Sequence, residues 1–180
     1  MLAVHMYATD NKDILPWPNW GTGTLYPGWL YTFDANATGT ARFKAETGLL
    51  WNTLKSSKVY MCPMDNTNAP LFIKRKQQLS SYAMNGAVCG FSADKYPAVQ
   101  LSAIRQDGVA FWETDEKHPH YFNDGANYPK ESVSTRHMNG AVNAAFNGAV
   151  GYIRFDAWLG FSKDTNKNCL WCYPNSPNGH

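Results

Sequence analysis

The chain has 180 residues, 44% of them apolar and 14% aromatic, with 16 Lys+Arg against 14 Asp+Glu and a formal charge of +2. That apolar content excludes a disordered chain, no run of about 18 apolar residues could span a membrane, and the balanced charge leaves no footprint for nucleic acid. Seven Trp, ten Tyr, ten Pro and sixteen Asn indicate long turns and loops stiffened by rings.

The chain opens inside what reads as the last turns of a helix. Leu2, Val4, Met6 and Ala8 suit a helix, and Asp10-Asn11 stops it. No basic, apolar and small-residue series marks a secretory signal, so residues 1–10 are expected to be the remnant of a longer N-terminal helix. Residues 14–45 follow as a long loop carrying Pro16, Pro18 and Pro27, with Trp17, Trp20 and Trp29 between turn residues. Those three tryptophans could fill a small core or form a stacking platform for sugar rings.

Residues 46–57 predict a short helix with Leu50, Trp51 and Leu54 on one face. A strand at Val59–Met61 is expected next, ending at Cys62-Pro63, and then an exposed polar stretch over 64–78. Ser81–Met84 and Val109–Trp112 read as strands, and 114–136 as loop. Over 141–157 the dipeptide Asn147-Gly148 predicts a hairpin with a two-residue type I′ turn. That turn pairs Val142 with Ile153, and puts Val142, Ala144, Phe146, Ile153 and Phe155 on one face. Residues 160–180 read as a polar tail, so the head is expected to span 1–159.

Four cysteines fit an oxidising compartment, and Cys62–Cys89 and Cys169–Cys172 are the preferred pairs among three possible pairings. Zinc on the C-L-W-C pair is the weaker alternative, because one C-x-x-C lacks its second pair of ligands. No phosphate-binding loop, nucleophile elbow or H-E-x-x-H motif is present. His118-Pro119-His120, near Glu113, Asp115 and Glu116, reads as a solvated loop. His137 is expected to bond backbone near the hairpin, with no carboxylate or nucleophile at informative spacing. Asp10-Asn11-Lys12-Asp13 and Asp65-Asn66-Thr67-Asn68 offer oxygens for calcium but do not match the twelve-residue loop. No other cofactor or metal is indicated.

Several short pieces occur in an order that resembles one bacterial family. Tyr7-Ala8-Thr9-Asp10-Asn11 with Leu15-Pro16 is similar to its helix end, and Cys62-Pro63-Met64-Asp65 to its C-P-x-D. Ser81-Tyr82-Ala83-Met84-Asn85 is similar to S-Y-x-M-N. Arg136-His137, nine residues before Asn147-Gly148, resembles the family's His-x9-Asp-Gly ending. The family is that of type II secretion pseudopilin-like proteins with a prepilin-type N-terminal cleavage and methylation segment. Asn147 stands where that family usually has Asp, and Ala149 where His is common. The resemblance implies an α+β, pilin-like fold, with a long N-terminal helix packed on an antiparallel sheet. It implies a structural subunit of a secretion or pilus-like filament, anchored in the inner membrane before assembly and not an enzyme. Its partners would be other subunits, met through the N-terminal helix, and secreted cargo or glycan. Its place would be the cell envelope or an extracellular filament. A carbohydrate-binding module using Trp17, Trp20 and Trp29 is the alternative.

Overall fold

Helix α1 (Leu2–Asp10) sets the start of the fold. Ala3, Val4 and Ala8 turn inward, and the helix stops where the Asn11 side chain donates to Tyr7 O and its backbone N–H to Ala8 O. Lys12 and Asp13 then take positive φ and swing the chain back across the core. The computed structural model describes residues 1–180.

The 14–45 segment is an ordered loop around buried Asn19. Its amide donates to Tyr31 O and accepts from the Leu30 and Tyr31 N–H groups, replacing a strand ladder with one side chain. Gly28 is required there, since a Cβ would stand 2.2 Å from the Asn19 amide. Leu15, Trp17, Trp29, Leu30 and Tyr31 are buried beneath it.

The sheet contains β1 (Tyr82–Asn85), β2 (Val109–Glu113), β3 (Ala126–Asn127), β4 (Gly140–Ala145) and β5 (Val150–Arg154), in the order β3-β1-β2-β4-β5. Only the β1–β3 pair is parallel. One side of the sheet meets α1 and the long loop in the main core, which includes Val4, Trp29, Met84 and Phe146. On the other side, Val109, Trp112 and Ala141 pack with Trp158 of α4 (Phe155–Lys163) and with Leu170. The architecture is α+β, and no helix is long and apolar enough to cross a membrane.

Several expectations are corrected. The 141–157 hairpin forms, but Val142 faces Tyr152 and Ala141 faces Ile153, one residue from the expected register. Phe146 is the cause: it leaves the ladder to fill the main core, and its N–H donates to Gly108 O. The connection becomes a three-residue loop closed by Ala145 N–H to Ala149 O, in which Gly148 alone takes positive φ. The slip changes which β5 residues share a face with Val142.

Residues 57–60 form a 3₁₀ turn rather than a strand, and the 46–57 helix shrinks to α2 (Trp51–Leu54), stopped by left-handed Lys55. Within 64–78, α3 (Pro70–Ile73) buries Phe72, and Arg75 and Gln77 are buried after it. The 114–136 loop holds the short strand β3. The boundary expected at 159/160 falls inside α4, and Leu170, Trp171 and Cys172 of the supposed tail are buried.

Candidate functional site

Cys62-Pro63-Met64-Asp65 is a tight turn, with Asp65 N–H donating to Cys62 O and Pro63 at the corner that favours it. The turn hangs the Cys62 thiol and the Asp65 carboxylate on one side of the chain. Ser81, just before β1, holds both ends: its hydroxyl accepts from Cys62 N–H at 3.0 Å and donates to Asp65 Oδ2 at 2.8 Å. Arg75 grips Asp65 with two bonds of 2.7 and 3.0 Å. Its guanidinium lies 3.7 Å from the Phe122 ring centre and 4.4 Å from that of Phe72. Burial alone would raise the Asp65 carboxyl, but Arg75, Arg136 and Ser81 outweigh it and hold the group below its ordinary range.

The last residue of β2, Glu113, enters the same space fully buried, opposite Tyr82 in the ladder. Its Oε2 accepts the Val142 N–H at 2.8 Å, and its Oε1 lies 2.9 Å from His137 Nε2. The same nitrogen stands 3.3 Å from Cys62 Sγ. His137 comes from the turn ahead of β4 and leaves 27% of its side chain open to solvent. Beside it, Arg136 is buried within 4 Å of Asp65, Glu113 and Glu116, while its Nε and Nη1 have no hydrogen-bond partner.

Burial first, and then the neighbouring Glu113 carboxylate, push the Cys62 thiol up, against partial opposition from the Met64 N–H and Arg136. A nucleophilic cysteine needs the opposite shift, and a nitrogen free to take its proton. Here the nitrogen facing the thiol also faces the carboxylate. In a relay, the two partners would occupy different ring nitrogens. The arrangement is a convergent set of donors wired into a buried ion network. Chemically it can lock three chain segments together or hold a cation.

Most of the family-like positions meet here. Cys62, Pro63, Asp65, Ser81, Tyr82, Arg136 and His137 all belong to the cluster or its frame. Asn85 lies further along β1 and ties Val109 O and Leu170 O together across the sheet. Asp10 and Asn11 close α1, and Asn147 and Gly148 make the hairpin tip, near His5 of α1. The expectation that His137 bonds only backbone is corrected, because Glu113 and Cys62 reach it from distant parts of the chain. Glu113, expected beside His118 on a solvated loop, instead closes β2 fully buried, and its cue is a carboxylate ending an otherwise apolar strand.

Other expectations fail for physical reasons. Trp17 and Trp29 are buried, and half-buried Trp20 packs edge-on against Tyr128 and Phe91, so the three make no exposed platform. All four cysteines are free thiols. Cys62 faces His137, Cys89 bonds Gly86 O, and Cys172 lies against Asn85, which separates the expected Cys62–Cys89 pair. Asp65 spends both oxygens on Arg75 and Ser81, which leaves the 65–68 candidate without a free carboxylate, and Asp13 Oδ2 is taken by Ser102. His118 packs at a tilt and His120 edge-on against Tyr121 on a surface turn.

Comparison with known proteins adds no relative: no family model matches the chain, and neither a curated protein nor a solved structure matches it.

Proposed function

We propose that this chain is the head of a pilin-like filament subunit, whose work is assembly rather than chemistry. The observation that carries this reading is that the first turns of α1 are apolar outward as well as inward, before Thr9 and Asp10 end the exposed face. Ala3, Val4 and Ala8 face the core, while Leu2 and Met6, one helical turn apart, are 77% and 46% exposed. A helix that only covers its own domain turns polar residues outward, so a second apolar stripe favours packing against further copies. The stripe borders an apolar hollow of about 410 Å³ lined by Met1, Leu2, Leu54, Val59, Phe111 and Val150. The placement of α1 against antiparallel strands agrees with the pilin-type pattern that the ordered motifs resemble.

In this reading the partners are further subunits stacked along α1, with an apolar segment ahead of α1 serving as anchor and then as filament core. The sheet and the Cys62–His137 region form the outward head, which meets cargo or its surroundings at the cell envelope. Fractionation of cells that naturally make the protein tests this. The chain is expected in the envelope fraction and in filaments sheared from the surface. Recovery wholly from the cytosol contradicts the reading.

A further inference from the structure

The donors of Cys62, Glu113 and His137 come from a turn, a strand end and a second turn, yet Sγ, Oε1 and Nε2 all lie within 4.8 Å of one another. Nε2 is 2.9 Å from Oε1 and 3.3 Å from Sγ. One imidazole nitrogen carries either a proton or a lone pair, so it makes one good hydrogen bond and not two. A His137–Glu113 ion pair accounts for the shorter contact and leaves the thiol unexplained. Around a tetrahedral zinc ion, with bonds of about 2.0–2.3 Å, ligand atoms stand roughly 3.3–3.7 Å apart. Two of the observed separations, 2.9 and 3.3 Å, lie at or just under those distances, and all three donors are within 4.8 Å of one another.

We propose that Cys62, Glu113 and His137 form a binding site for a divalent cation of the zinc class, with a fourth position open to water at the exposed edge of His137. A mixed sulfur, nitrogen and oxygen set suits zinc or cobalt and not the all-oxygen cations calcium and magnesium. The surroundings hold the ligands as a second layer should. Val142 N–H fixes the far oxygen of Glu113, and Met64 N–H approaches Cys62 Sγ at 3.4 Å.

Charge supports the same assignment. With His137 neutral, as a metal ligand must be, Asp65, Glu113 and Glu116 carry three negative charges against two on Arg75 and Arg136 through contacts under 4 Å. A divalent ion that displaces the thiol proton to solvent gives four negative and four positive charges, which balance. The buried guanidinium of Arg136 then offsets the added thiolate instead of opposing the ion.

This inference stands apart from the filament reading, and its test needs no filament. The full chain is stripped with a chelator, dialysed, and titrated with zinc and with cobalt. About one ion per chain is expected, with cobalt giving tetrahedral visible bands and a near-ultraviolet thiolate-to-cobalt band. Cys62→Ser should abolish the thiolate band, and both it and His137→Asn should weaken binding at least about tenfold, the scale of losing ligand support. Cys169→Ser should keep both signals, which separates this site from the C-L-W-C pair. His137→Asn, at a partly exposed position, keeps the test valid should Cys62→Ser not fold. Folded wild-type protein that takes up no cobalt at micromolar free ion overturns the proposal, as does a folded Cys62→Ser or His137→Asn variant with undiminished affinity.

Discussion

At the scale of single residues, Asp65 joins the parts of the cluster. It accepts from Arg75 and Ser81 and lies near Arg136, so its removal leaves two buried guanidinium groups under-compensated. Breaking one side of such a pair costs about 3–5 kcal/mol, and Asp65→Asn should lower stability on that scale near pH 7. The pH dependence follows from the depressed carboxyl. Its stabilisation is present above the unfolded value of about 4 and is lost as pH falls through the lower folded value. The gap between wild type and Asp65→Asn in urea unfolding should therefore hold steady from about pH 7 to 5 and close below about pH 4. A gap that stays constant through the acid range contradicts the assigned ion pair. Cys62, Asp65, Ser81, Arg136 and His137 lie in ordered short motifs, whereas Glu113 and Arg75 carry no motif, and the meeting of these residues is not legible in the sequence. Cys62, Glu113 and His137 are brought together by a turn, a strand register and a second turn, and no sequence spacing encodes that.

At the scale of elements, the sequence was informative wherever one periodicity acted alone. Ser81–Met84 and Val109–Trp112 are strands within a residue or two, because branched and aromatic residues there have no competing use. The hairpin existed as expected but slipped, because the core claimed Phe146 and the turn gained a residue. Helix α4 was hidden, since Phe155 continues the alternation of β5 and no side chain caps its first turn. The turn yields a prediction of its own. Asn147 donates its N–H to Gln106 O, and its side chain accepts from Ala149 N–H. Asn147→Pro removes the first bond and should cost about 1–3 kcal/mol, whereas Asn147→Asp keeps an acceptor and should be nearly silent. Thermal melting of the two variants checks this, and a large loss for the Asp variant contradicts it.

At the scale of the whole molecule, two layers flank the sheet and differ in how completely they are used. The α4 side is closed, with Trp112 against Trp158 and Leu170 sealing it. The α1 side is finished within but carries Leu2, Met6 and the adjoining hollow on its outside. Loop-rich folds of this kind draw stability from buried polar anchors such as Asn19, Asn85 and Asp65 as much as from regular ladders, and composition alone announced only the loops. The central claim is that the outer face of α1 packs copy against copy. The most direct measurement places a photo-crosslinking residue at Leu2 or at Met6 of the protein in its own cells, with Met138, exposed elsewhere on the head, as control. Ladders of self-crosslinked chains are expected from Leu2 and Met6 and none from Met138. No self-crosslinks from either α1 position, or equal ladders from Met138, would contradict the central claim.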